Sequence, residues 1–265
     1  VAKDAFSSLG KKMWLFDSVS LWDKVSANNH YDPESFAPLK ALLDLIKSGE
    51  HEQSQTLLSE LMDMGAWGRF SAFETLASTK HYGKAHNWRI YFDPWRGKLM
   101  PVVWDPAGWI WNPPESIVNV VSSRLHQLLF QNGDFLRARN AALASFFGSS
   151  KDTYFLESVS DTIEMMTAEI KTDAFLRPGN AAIVTKAMYK LEEKIQKTFS
   201  TTQKKWAGDH NSGTRFSYHD TQLDLSVGGS RPVQVIRLNF DRQLKSTASS
   251  TISYELLGKR NTINL

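Results

Sequence analysis

Between Trp88 and Trp104 the apolar pattern drops from a helical period to a period of two. Trp88, Ile90 and Phe92 alternate with Arg89 and Tyr91. Pro94-Trp95-Arg96-Gly97 reads as a turn, and Leu99 to Trp104 as a second extended run. Stripes of helical period flank this segment on both sides. The pattern predicts an α+β chain: a mainly helical body with an embedded β-hairpin.

Upstream, Asp32-Pro33-Glu34-Ser35 is a helix start, with an Asx cap and then proline at the first helical position. Phe36, Leu39, Leu42, Leu43 and Ile46 follow, and Gly49 supplies the stop. Leu57, Leu58, Leu61 and Met62 mark a second helix. Trp67, Phe70, Phe73 and Leu76 mark a third, with Asp63 placed to cap it. Downstream, Ile117, Val118, Val121, Leu125 and Leu128 form one stripe, and Phe135 to Phe147 another. A weaker one spans Phe155 to Ile170. A long final helix runs from Pro178-Gly179 through Ile195.

The character changes near residue 200. Ser200 to Gly213 reads as a polar linker. Phe216 to Leu225, Val233 to Phe240 and Thr251 to Leu257 read as strands. The expected division is therefore an extension over 1–31, a helical domain over 32–199, a linker over 200–213, and a β-rich segment over 214–265 that resembles an incomplete β-sandwich.

Composition narrows the chemistry. The 265 residues include no cysteine, which excludes disulfides, thiol catalysis and zinc–thiolate sites. The 31 basic and 28 acidic residues leave a net charge of +3, too little for a nucleic-acid surface. No apolar run approaches the roughly 20 residues needed to span a bilayer.

The hairpin also places two polar residues opposite each other. If Asp93 pairs with Leu99, Asn87 faces Asp105 across the ladder, on the same side of the sheet. Oxygen ligands this close suit Mg²⁺, Mn²⁺ or Ca²⁺, with water or phosphate filling the remaining positions. The alternative is that Asn87 and Asp105 are ordinary turn formers at strand ends. A register slip of one residue would send them to opposite faces.

At these residues the chain resembles the spore-coat-protein-H kinase-like family (CotH). The match rests on Asp63-Met64, the aromatic helix Trp67-Phe70-Phe73, His86-Asn87-Trp88-Arg89-Ile90-Tyr91-Phe92-Asp93-Pro94, Gly97-Lys98 and Pro101-Val102-Val103-Trp104-Asp105. Leu125 to Leu129 and Phe135-Leu136-Arg137 extend it, so that it covers about residues 36–195. The resemblance implies an atypical protein-kinase-like C-lobe that transfers phosphate from ATP to a protein hydroxyl, with Mg²⁺ or Mn²⁺ held by Asn87 and Asp105. Where the family carries an acidic base this chain has His81-Tyr82, so His81 is the candidate base, the alternative being an ordinary surface histidine. A kinase also needs a lobe that covers the nucleotide and a lysine that clamps its phosphates. No such pattern precedes residue 40, so the resemblance implies a lobe outside this chain. It further suggests a fragment of a longer secreted or cell-surface protein.

The other class is a non-catalytic binding or structural module with a degenerate kinase-like body. Five of the nine tryptophans fall between positions 88 and 111. Trp95, Trp109 and Trp111 are candidates for a surface that stacks on a protein or glycan. Trp88 and Trp104 are assigned to the core by parity.

Overall fold

The computed structural model describes residues 14–25, 36–48, 52–83, 87–111 and 119–208, and the backbone of four strands beyond them. Two units result, residues 1–205 and 206–265.

The first unit is built around one helix. Two 3₁₀ turns, Leu15–Asp17 and Val19–Leu21, precede α1 (Ala37–Ser48), α2 (Glu52–Leu61) and α3 (Met64–Leu76). The hairpin β1 (Ile90–Asp93) and β2 (Lys98–Pro101) follows. Then come the short α4 (Gly108–Trp111), α5 (Arg124–Leu129), α6 (Gly133–Gly148), α7 (Lys151–Thr172) and α8 (Pro178–Gly208). The start of α1 expected at Asp32 lies outside the described residues.

The apolar stripe of α3 understates its burial. Met64, Trp67, Gly68, Phe70, Ser71, Ala72, Glu74 and Thr75 are all buried, which is most of the helix circumference. Small residues make this possible. A Cβ on Gly68 would stand 2.6 Å from Ala138 Cβ and 2.7 Å from the Arg139 backbone nitrogen, so α6 crosses α3 at close range.

Asp63 caps α3 as expected, its Oδ1 accepting from Ala66 N at 2.8 Å. Its other oxygen accepts from Arg96 Nη2 at 2.6 Å, which ties the hairpin turn to the helix start. Burial alone would raise the Asp63 carboxyl, but the Ala66 N–H and Arg96 outweigh it and hold the carboxyl below its usual range. A depressed acid contributes stability above its unfolded value and loses it as pH falls through the folded one. Asp63→Ala should therefore cost about 1–2 kcal/mol at neutral pH and much less once the carboxyl is protonated. Urea midpoints measured against pH check this.

The hairpin is clamped to α2 and α3. The Leu99 carbonyl accepts from Asp63 N (3.1 Å) and Trp67 Nε1 (2.9 Å), while Lys98 Nζ donates to the Ser59 carbonyl. The register differs by one residue from the expected one. Asp93 pairs with Lys98, and Phe92 with Leu99. Asp93 Oδ1 accepts from Trp95 N and Arg96 N, an Asx turn, and Gly97 takes φ +63°. These contacts close the loop over four residues instead of five.

Several boundaries also differ. The supposed extension contributes Leu15, Phe16, Leu21 and Trp22 to the core. Of the stripe expected from Ile117, Val121 precedes the helix and α5 starts at Arg124, because Ser123 Oγ caps it at His126 N; Ile117 and Val118 lie outside the described residues. The polar linker from Ser200 is instead the end of α8, with Thr202 buried. Thr198 and Thr201 turn their hydroxyls onto the carbonyls four residues back, so a threonine-rich stretch stays helical.

The second unit holds antiparallel pairs, β3 (Gly213–His219) with β4 (Gln222–Gly228) and β5 (Thr251–Leu256) with β6 (Lys259–Asn264). The expected single strand 216–225 is a hairpin. The strand expected at Val233–Phe240 lies outside the described residues. The β-sandwich is corrected: the described strands form two-stranded antiparallel sheets, in a mainly helical chain of mixed α+β class. Among the described residues no helix is long and apolar enough to cross a membrane.

Candidate functional site

Asn87, Asp105 and His81 come together at the open end of the hairpin. Asn87 Nδ2 lies 3.4 Å from Asp105 Oδ2, and 2.8 and 3.0 Å from the two ring nitrogens of His81. His81 Nδ1 is 2.7 Å from the Asp105 carbonyl oxygen and 3.8 Å from its Oδ2. A carbonyl only accepts, so this contact calls for the proton on Nδ1, and the Asn87 amide can then donate only to Nε2 of a neutral ring.

The convergence has a different cause from the one the ladder suggested. In the observed register, continued outward, Asn87 would face Trp104. Simple alternation would then put Asn87 and Asp105 on opposite faces. Alternation ends with the ladder. Asn87 takes φ +67° and Asp105 φ +44°, both in the left-handed region. Ser78 and Ala107, also left-handed, stand on the same two segments. Residues held in sparsely populated backbone regions gather at functional sites more often than elsewhere.

Three links stitch the segments face to face. Thr79 Oγ1 donates to the Pro106 carbonyl and accepts from His81 N. His81 bonds Asp105, and the Tyr82 hydroxyl accepts from Trp104 N at 3.1 Å. Tyr82 is fully buried, 4.8 Å ring to ring from Phe70. Burial pushes its phenol up to about 12, with Glu74 and Asp105 adding to the shift against the opposing Trp104 contact.

Beneath this site lies a buried ionic group that the sequence reading missed. His126 Nε2 is 3.1 and 3.2 Å from the Glu74 carboxylate oxygens. Its Nδ1 is 2.9 Å from Ser123 Oγ. Arg139, also buried, donates to Thr75 Oγ1 at 3.2 Å. Burial raises the Glu74 carboxyl, against the pull of His126 and Arg139. It brings the Arg139 guanidinium down to about 10, with Glu74 opposing. A signal existed: Glu74 stands seven residues after Trp67 and four after Phe70, a carboxylate on the apolar face of its helix.

The tryptophans divide. Trp88 is core, packed among Phe16, Trp67, Phe70, Tyr82 and His126. Trp104, expected in the core, is half exposed, with the Arg89 guanidinium 3.2 Å above its ring. Trp95 at the hairpin tip is 96% exposed. Trp109 donates to the Leu76 carbonyl and packs on Phe155 and Phe199. Trp111 closes α4. A groove of about 820 Å³ lies elsewhere, between α7 and α8, lined by Ile170, Leu176, Ala181 and Tyr189.

Among the described residues no group of three or more His, Cys, Asp or Glu side chains could hold a metal ion. The magnesium and ATP attributes are corrected to that extent: these residues form no metal centre of their own. The remaining oxygen donors, one amide and one carboxylate, are hard ligands that leave most of a coordination shell to water or substrate phosphate. Comparison with known proteins found no matching family model, no matching curated protein and no matching solved structure.

Proposed function

We propose that the chain carries part of a kinase-like phosphoryl-transfer site, with His81 as base and Asn87 and Asp105 as ligands for Mg²⁺ or Mn²⁺. The observation that carries this reading is the convergence of the three side chains through left-handed backbone at Asn87 and Asp105. A divalent cation supplies charge neutralisation of the phosphates in such sites. Rotating the Asn87 amide turns its oxygen toward the Asp105 carboxylate and frees His81 Nε2. That nitrogen takes the proton of a protein hydroxyl as its oxygen bonds to phosphorus and the bond to the leaving ADP oxygen breaks. The phosphate-clamping lysine and covering lobe belong to the proposal and lie outside the described residues.

Titrating Mn²⁺ into the protein with ATP present is the test. Asp105→Ala should weaken Mn²⁺ binding by about tenfold or more, with a modest fall in melting temperature because alanine tolerates the left-handed backbone at this position less well than aspartate. Equal affinities in the two proteins would sink the assignment. The second reading, a protein- or glycan-binding module, is favoured by the exposed Trp95. It gains if nucleotide with Mn²⁺ gives no thermal shift.

A further inference from the structure

We propose that Tyr82 is the positioning residue of the His81–Asn87–Asp105 site, an inference that rests on the reading above. Tyr82 links this site to the buried ionic group with both ends geometrically defined, beside Thr79, whose backbone N–H donates to the Glu74 carbonyl at 3.0 Å. On the site side its hydroxyl accepts from Trp104 N at 3.1 Å, one residue before Asp105. On the core side its carbonyl accepts from Ser122 Oγ at 2.8 Å, and that hydroxyl is 3.4 Å from His126 Nδ1. His126 in turn holds Glu74. The ring is wedged against Phe70 and Trp88, 4.8 and 5.8 Å between centroids.

This arrangement matters because the site has no regular structure of its own. Asn87 and Asp105 lie beyond the last ladder pair, Ile90 with Pro101. Their spacing is held by side-chain stitches to residues 79–82. Of the stitching side chains, Thr79 and His81 lie outside the aromatic core and Tyr82 lies inside it. A rigid ring with a fixed hydroxyl sets where the Trp104 amide stands, and so the distance from His81 to the Asp105 carbonyl. Partners behind metal ligands commonly govern ligand geometry in this way.

Tyr82→Phe keeps the ring and removes the acceptor. The readout is taken first on the metal-free protein. The ¹⁵N shifts of His81 should change from the Nδ1-protonated pattern toward mixed tautomers, and the Trp104 amide should exchange with solvent about tenfold faster. Ser122→Ala, which releases the Tyr82 carbonyl from the other side, should move both signals the same way. Ile163→Ala, at a buried position on α7 outside the aromatic core, should lower stability without changing the His81 tautomer. Mn²⁺ affinity with ATP present should then fall by about tenfold in Tyr82→Phe. Wild-type His81 and Trp104 signals in both Tyr82→Phe and Ser122→Ala would overturn the proposal. If wild type binds no Mn²⁺ while the His81 signals still shift, the metal reading fails and the positioning role stands.

Discussion

Glu74→Ala should cost the fold about 3–5 kcal/mol, the range seen when one member of a buried charge pair is removed. Glu74 is wholly buried on α3 and faces His126 from α5 and Arg139 from α6. Removing it takes the acceptor from His126 Nε2 and the favourable charge of Glu74 from Arg139, both away from water. Glu74→Gln separates charge from hydrogen bonding, since the amide oxygen still accepts from His126. The sign of the pH dependence follows from the raised carboxyl. Its contribution to stability is fully present below the unfolded value and is lost as pH rises through the folded one. The midpoint of wild type should therefore fall as pH rises through that window, and Glu74→Gln should flatten the curve. Urea unfolding of the three proteins from pH 4 to pH 9 checks both statements. A Glu74→Ala midpoint equal to wild type would mean that the three groups do not act together.

Gly68→Ala is the second large effect, a loss of about 2–3 kcal/mol through overpacking. Alanine is ordinarily the better helix residue by about 1 kcal/mol, so propensity alone points the other way. The new methyl would meet Ala138 Cβ at 2.6 Å, Arg139 N at 2.7 Å and the Phe135 carbonyl oxygen at 2.8 Å. Two of these are backbone atoms of α6 and cannot step aside without moving the helix. Because Arg139 rides on that backbone, the shift also disturbs its reach to Thr75 and its charge relation to Glu74. Gly133→Ala is the control, with nothing within 4 Å of the added carbon. Thermal melts should show the first variant destabilised and the second unchanged or slightly raised.

Much of the local structure was legible in residue order. Asp63 announced the start of α3, and the change of period at Trp88 announced the hairpin. Both signals are short-range: a cap works over one turn, and alternation over one strand. Element ends were less legible where a side chain substitutes for a backbone rule. The Asx turn at Asp93 shortened the loop by one residue, and back-bonded threonines carried α8 through a stretch that reads as a linker.

The candidate site shows the same division more sharply. Residue types and spacing singled out His81, Asn87 and Asp105, because an imidazole, an amide and a carboxylate around one hairpin are chemically legible. The register used to join Asn87 to Asp105 was displaced by one residue. They meet because left-handed backbone at each turns its side chain out of the alternation, and because Thr79, His81 and Tyr82 stitch the two segments. Such backbone states are stable only when surrounding packing over-determines them. The sequence by itself determined the helices, the hairpin and the polar residues at its open end, since these follow from local period and capping. The tertiary structure alone decided that the polar residues converge, that α3 is buried on nearly every side, and that Glu74 meets His126 and Arg139. Those outcomes depend on contacts between residues dozens of positions apart, and the pattern of one element does not reveal what packs against it.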